Sequence, residues 1–343
     1  MTVNTYNRLS RRRSYAVRRE RGKIAGMSVA RAPKIACIGL SSWDRLIAVL
    51  EYPPIGGQVD VLEEVSAPGG TTTNTAVALA RLGARVAIAT AIGDDERGTA
   101  LRRGLDEAGV DTGWLMVKAG LKTDLATVIV SRQPLERTIY WEQGAQLVRG
   151  DQLDIAGLFG GDVLVVDVAD VPLRRFLVDL PAHTVPTARI LGPLTYLANN
   201  DLTDAFDLAL RHDAIVADER DLLDVTGTWT LSDAVTALQS RMRGAELRAA
   251  LITLGGEGCR VVTETKSLNI PAFSVDVVDP TGAGDAFVAG VAWGMAQRWP
   301  WPEVGRFANA VGALACRSLG AQASLPSLED VEALMTSSPT DLD

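Results

Sequence analysis

In this 343-residue chain the residue best placed to do chemistry is Asp285, in the run Asp279-Pro-Thr-Gly-Ala-Gly-Asp-Ala-Phe287. A strand-like segment, FSVDVV, leads into a glycine-rich turn, and an apolar helix is expected to begin directly after it. Gly282 and Gly284 let backbone approach a ligand closely. The first N–H groups of such a helix lack intrahelical acceptors, and the positive end of the dipole lies beside them. Gly282, Ala283 and Gly284 therefore form a candidate anion hole. A carboxylate in that first turn has two readings. It can cap the helix, or it can be a base beside a phosphate site, as phosphoryl transfer to a hydroxyl requires. The commoner phosphate signatures are missing, since no GxxxxGK[ST] occurs and no GxGxxG follows the first strand.

The elements that must carry this turn are expected to begin at Lys34. IACIGL is a short apolar strand, and DRLIAVLEYP and GGQVDVLEEV alternate like half-exposed strands. A helix over 72–82 ends at Gly83, RVAIATAIG is a strand, and a helix over 97–108 ends at Gly109. WLMV, LATVIVS and RTIYW, within 113–140, read as further β structure. Strand and helix then alternate through DVLVVDV, ARILG, AIVAD and AALITLG to two helices at 283–297 and 302–318. Repeated strand–helix units with apolar strands imply a mostly parallel sheet covered on both faces. The segments 45–66 and 113–140 break that rhythm and are expected to form a small accessory sheet.

Composition narrows the function. Apolar residues make up 47% and charged residues 22%, as in ordinary globular proteins. There is no run of eighteen apolar residues, so no membrane partner is expected. Residues 1–34 hold ten Lys or Arg and one acid, +9 against −8 for the whole chain, so the remaining 309 residues carry −17. That acidic body argues against a nucleic-acid partner. Residues 1–33 are expected to be a disordered basic leader, with Met27 an alternative start, and 336–343 a C-terminal tail. The three cysteines show no metal-ligand spacing and read as buried apolar groups in a reducing, cytoplasmic compartment. With two histidines in the chain, neither in a motif, a His-based triad or metal site is not expected.

DPTGAGDAF resembles the C-terminal signature of the ribokinase/PfkB carbohydrate and nucleoside kinases. PGGTTTNTAVALARLGARVAIATAIGDDERG, at 68–98, resembles their N-terminal signature, and the two lie about 210 residues apart in the family's order. The resemblance runs from Lys34 to about Leu334 and implies a kinase domain over 34–335. The implied architecture is a ribokinase-like three-layer α/β/α fold with a mostly parallel central sheet and a small β-sheet lid, through which a homodimer could form. It implies ATP as co-substrate and a small carbohydrate as acceptor, with Asp285 as general base. Asp44, Gly69, Gly70 and Asn74 match substrate-binding positions, and Thr253, Gly255, Gly258 and Asn309 match the nucleotide side. Asp167, at the end of DVLVVDV, stands where open α/β folds bind ligands and is a further candidate sugar contact. A potassium site is implied at Asp279, Thr281, Ala315, Ser318, Gly320 and Ser324, largely through carbonyl oxygens.

One departure concerns magnesium. The family's N-x-x-E is here Asp218 and Asp221, in AIVADERDLLDVTG, so a shorter acid and an added charge stand near the expected phosphates. Hard oxygen ligands with water-mediated contacts suit Mg²⁺ at such positions. The opening IGLSSWDRLIAVLEYP and the later ERTIYW resemble ketohexokinase- and sulfofructose-kinase-like members more than adenosine kinases, which points to a ketose or related sugar. Arg137 in ERTIYW could face a second anionic group on the sugar. The alternatives are a nucleoside kinase of the same fold and a non-catalytic ligand sensor.

Overall fold

The structure, a computed structural model, describes residues 22–24, 27–29, 31–182, 187–198 and 204–337. Its frame is a nine-stranded sheet. In spatial order the strands are Ser267–Ile270, Cys259–Val262, Ala249–Thr253, Ala214–Asp218, Arg189–Pro193, Val163–Asp167, Lys34–Gly39, Arg85–Gly93 and Asp111–Lys118. The seven from Ala249–Thr253 onward are parallel, and the first two form an antiparallel edge.

The apolar strand runs have a direct physical use. Ile35 and Cys37 enter the core on one face of the sheet, and Ala36 and Ile38 enter a second core on the other. Val163 and Val165 divide from Leu164 and Val166 in the same way. Side chains alternate along a strand, so only a strand apolar at every position can bury both faces. The first core is closed by the helices Thr71–Arg81, Ala283–Gln297 and Trp301–Ala315; the second lies under Val171–Asp179, Glu219–Thr226 and Leu231–Met242. Together they make the expected ribokinase-like three-layer α/β/α fold with its mostly parallel sheet.

A separate four-stranded sheet, the lid, is ordered Val61–Gly69, Ser42–Val49, Leu125–Arg132 and Leu135–Glu142. It has little core of its own: Leu46, Val128 and Val130 are its buried cluster, while Leu135–Glu142 is exposed along its whole length. The expected accessory segment 113–140 requires a correction at its start. Asp111–Lys118, which contains WLMV, is the edge strand of the main sheet, parallel to Arg85–Gly93. The reason is topological: Arg85–Gly93, the helix Glu96–Glu107 and Asp111–Lys118 form one strand–helix–strand unit, whose third leg returns beside its first. A four-residue apolar run fits either sheet, and the helix before it decides.

The basic leader falls largely on residues outside those described. Where the chain is described, Gly22–Ile24 pairs antiparallel with Met27–Val29, so regular structure begins before the expected Lys34. At the other end the last helix runs Leu328–Ser337, two residues into the expected tail, and 338–343 lie outside the described residues. Among the described residues no helix is long and apolar enough to cross a membrane. Cys37 and Cys259 are buried, Cys316 half-buried, and all three are free thiols. His212 is buried with Nδ1 3.1 Å from the Leu208 carbonyl, and burial pushes its pKa down to about 3, so it is a neutral packing residue. His183 is outside the described residues.

Candidate active site

Parallel strands bring their carboxyl ends to one edge, and the register sets Gly39 beside Asp167 and Asp218 beside Thr253 there. Against this edge lies the N-terminus of Ala283–Gln297. Gly282 is its N-cap at φ 81°, a left-handed conformation suited to glycine. A Cβ at Gly282 would stand 2.7 Å from Ala321 Cα, whereas one at Gly284 would meet nothing within 4 Å. The first glycine is needed for the turn, and the second leaves the helix end open. Among the described residues no acceptor faces the N–H groups of Gly284 and Asp285. The Ala283 N–H differs from the expectation: it donates to the Pro280 carbonyl at 3.2 Å, because the tight turn brings that oxygen back over the first helical residue.

Asp285 follows in the first turn, half-buried, with its side chain turned away from a capping role. Its Oδ2 accepts from Asn74 Nδ2 at 2.8 Å, and Thr75 Oγ1 donates to its backbone carbonyl at 3.2 Å. Burial pushes the carboxyl up to about 7; the Asn74 donor opposes this, Asp167 adds to it, Arg137 opposes and Asp44 adds. A carboxyl with that proton affinity beside free N–H groups is suited to accept a hydroxyl proton near neutral pH. The lid strand Leu135–Glu142 contributes Arg137, whose Nη1 donates to the Pro280 carbonyl at 3.3 Å and so reaches the same turn.

Asp44 lies at the start of the lid, opposite Ala67 and Ala126. Ser42 Oγ donates to its Oδ1 at 2.6 Å, and the Gly70 N–H also reaches the carboxylate. Burial raises its pKa, and those two bonds oppose the rise. Gly69 is required by contact: a Cβ there would lie 2.0 Å from Asp44 Oδ2. Gly69, Gly70, Asp44 and Asn74 thus line one corner facing Asp285. Asp167 differs in setting. It is buried, with Oδ1 lacking a hydrogen-bond partner and the fully buried Arg174 3.9 Å away. It acts on Asp285 through its field. Arg174 is held by the Val168 and Pro193 carbonyls.

Beyond the strand ends at Asp218 and Thr253 is a cavity of about 510 Å³, lined by Asp218, Thr253, Gly255, Glu257, Arg260 and Asn269 among others. Gly258, at φ 100°, closes the turn between the strands Ala249–Thr253 and Cys259–Val262; a Cβ there would come within 2.2 Å of the Ile270 carbonyl oxygen. Asn309 has its amide nitrogen 3.0 Å from both the Ile270 and Pro271 carbonyls, so its donors tie Trp301–Ala315 to the edge of the sheet. Asp218 caps Glu219–Thr226, its Oδ1 accepting from the Asp221 N–H at 2.7 Å. Burial, and then the Asp218 charge, push Asp221 up to about 6.

The residues implied for a potassium ion meet behind the turn. Buried Asp279 accepts from the Thr281 N–H at 2.9 Å and the Gly320 N–H at 2.8 Å, which joins the turn to the segment after Trp301–Ala315. Ser324 Oγ donates to the Ala315 carbonyl at 2.7 Å, and Ser318 lies half-buried just before Gly320. Thr281 Oγ1 is buried without a partner.

A model of the pfkB family carbohydrate kinases matches residues 32–328, nearly the whole described chain. The chain belongs to this family. The carbohydrate kinase is 29% identical to fructokinase-1 of Oryza sativa subsp. japonica over 314 residues, 84% of this chain and 95% of the rice protein. It is 27% identical to the ribokinase of Bacillus subtilis over 312 residues, 88% and 99% of the two chains. A double mutant of the Vibrio cholerae O395 fructokinase, solved in fructose, ADP and potassium ion bound form, shares the fold at a TM-score of 0.70. It is 22% identical, with 89% of this chain and 99% of that one covered.

Several residues in and around the site escaped the sequence reading. Gln322 donates from Nε2 to Asn74 Oδ1 and to the Pro68 carbonyl, both at 2.9 Å. The one sequence signal for it is its place in GAQAS, two residues after Gly320. Asp124 gathers Trp141 Nε1 (3.0 Å), the Gly144 N–H (2.7 Å) and Gln146 Nε2 (2.9 Å), pinning the end of the lid to the body. Tyr196 Oη lies 3.5 Å from Thr71 Oγ1, in the field of Asp167 and Asp285. No local pattern marks the last two.

Proposed function

We infer that this carbohydrate kinase transfers the γ-phosphoryl group of ATP to a hydroxyl of a ketose or related sugar, with Asp285 as general base. The observation that carries the reading is the pairing of a carboxyl of raised pKa with unengaged N–H groups at one helix end. The sugar oxygen forms a bond to the γ-phosphorus as the bond from that phosphorus to the β–γ bridging oxygen breaks. The hydroxyl proton passes to Asp285, and ADP leaves. The Gly284 and Asp285 N–H groups face the developing phosphoryl charge, with Gly282 holding the turn. Asp44, Gly69, Gly70 and Asn74 hold the sugar, where a buried carboxylate and an amide accept and donate to its hydroxyls. Thr253 and Gly255 line the cavity assigned to the nucleotide, and Gly258 holds the turn that follows them. Asn309 supports that cavity through the Ile270 and Pro271 carbonyls.

The substrate is tested by ATP consumption over ketoses, aldoses, nucleosides and their phosphates. Turnover is expected with a free ketose such as fructose. Preference for a nucleoside would replace this reading with a nucleoside kinase, and sugar binding without turnover would replace it with a sensor. A preference for a sugar phosphate would assign Arg137 to the second anionic group.

Two ions fit the residues present. Asp218 and Asp221 offer hard oxygen donors; burial and then the Asp218 charge raise the Asp221 pKa, and a divalent cation would relieve the second of these. Magnesium held by Asp218 and Asp221 would neutralise phosphate charge. Thr281 Oγ1, a buried oxygen without a partner, and the carbonyls near Ala315, Ser318 and Gly320 fit a monovalent cation. Asp279 holds the anion-hole turn through the Thr281 and Gly320 N–H groups, and such an ion would shield its charge. The rate is therefore expected to be higher in K⁺ than in Na⁺ or tetramethylammonium at equal ionic strength. Equal initial rates in the three salts would count against the site.

A further inference from the structure

The orientation of Asn74 is set by a chain of bonds that begins outside the site. The Pro68 carbonyl, near the end of the lid strand Val61–Gly69, can only accept, so Gln322 must present its NH₂ to it. The same nitrogen donates its other hydrogen to Asn74 Oδ1. With the Asn74 oxygen taken, its NH₂ is left facing Asp285 Oδ2 at 2.8 Å. Reversing the Asn74 amide would set carbonyl oxygen against carboxylate and NH₂ against NH₂, two repulsions in place of two bonds.

We propose that Gln322 is a positioning residue, through which the lid carbonyl of Pro68 holds the Asn74 amide with its NH₂ toward the base. The inference rests on the assignment of Asp285 as the base. It adds a link between lid and base, because Gln322 touches Pro68 as well as Asn74. It also adds a link to the segment behind the turn, since Gln322 lies between Gly320 and Ser324. A lid strand displaced at Pro68 loosens Gln322, then Asn74, and the base loses its donor.

The groups facing Asp285 are few. Asn74 and Thr75 come from the helix Thr71–Arg81, Asp167 from the central sheet, Asp44 and Arg137 from the lid, and Tyr196 from the segment Thr195–Ala198. Gln322 bonds to no charged member of this set. Its removal leaves their charges in place and changes the orientation of one amide. Asn74 favours the ionised form of Asp285, so a loosened Asn74 raises the pH at which the base becomes available.

The test is the pH dependence of kcat/KM for the sugar, whose acid limb reports ionisation in the free enzyme. Asn74→Ala is expected to move that limb up by about one to two pH units, the usual worth of one hydrogen bond to a charged group. Gln322→Met, close in shape but without a donor, is expected to move it up by about half a unit to one unit, with KM for ATP unchanged. In the double variant the shift should match Asn74→Ala alone, because Gln322 acts through Asn74. Gln322→Ala is measured beside it as a smaller replacement, and melting temperatures confirm folding. An unmoved limb in both Gln322 variants, or additive shifts in the double variant, overturns the proposal. Asp285→Asn in the same series separates the two ideas. If it loses kcat while the Gln322 limb stays put, the positioning role alone fails. If it keeps kcat, the base assignment fails and the positioning role goes with it.

Discussion

Asp285→Asn is expected to lower kcat by about 10²–10⁴-fold, the usual contribution of a general base. The replacement keeps size and shape, and the Gly284 and Asp285 N–H groups remain at the helix end. What is lost is the capacity to take the hydroxyl proton as the phosphoryl group transfers. Ground-state binding of sugar and ATP should change little, and nucleotide affinity could rise because a negative charge leaves the vicinity of the γ-phosphate. The wild-type enzyme carries a matching pH signature. With Asp285 pushed up to about 7, the base is protonated below that pH and ionised above it. The kcat/KM profile should therefore rise through neutrality, and that limb should vanish in the variant. A helix-capping role predicts the opposite, since Asn caps about as well as Asp. Near-wild-type kcat in a folded Asp285→Asn enzyme, measured by steady-state kinetics at several pH values, would overturn the assignment.

The second large effect is expected at Asp44. Asp44→Ala removes a buried carboxylate held by Ser42 and Gly70, beside a glycine with room for no side chain of its own. A charge-assisted hydrogen bond to a substrate hydroxyl is worth about 1.5–3 kcal/mol, so KM for the sugar should rise roughly 10- to 150-fold. KM for ATP should stay close to wild type, because the lining of the cavity formed by Asp218, Thr253 and Gly255 does not include Asp44 or the residues that hold it. Some loss of lid stability accompanies the change, since Ser42 Oγ loses its acceptor. Initial rates with each substrate varied in turn separate the roles. An equal rise in both KM values would make Asp44 a structural residue at the start of the lid.

Much of this site is legible along the chain because its parts are local. The strand Arg85–Gly93 and the helix Ala283–Gln297 coincide with their expected bounds, since apolar period, glycine and proline act within a few residues. The turn at Gly282–Asp285 is equally local: backbone freedom, a helix start and an acid occur within four positions. Where the structure departs from the expectation, the packing of one element on another or the path of the turn decides. WLMV could belong to either sheet until the preceding helix returned it beside Arg85–Gly93. The Ala283 N–H, expected in the anion hole, is directed by the turn to the Pro280 carbonyl. Asp167 stands at a strand end as expected, and Arg174, from the helix that follows its strand, lies 3.9 Å away.

Local patterns in the chain are therefore enough for the layers, the order of the elements and the identity of the acid at the helix start. They cannot reach the proton affinity of that acid or the direction of the amide beside it. Those depend on Asp44 and Arg137 from the lid, Asp167 from the sheet and Gln322 from a turn some 250 residues away from Asn74. The physical reason is one of range. Helix and strand preferences come from neighbours along the backbone. Desolvation, Coulomb fields and hydrogen-bond direction come from whichever groups the completed fold brings within a few ångströms.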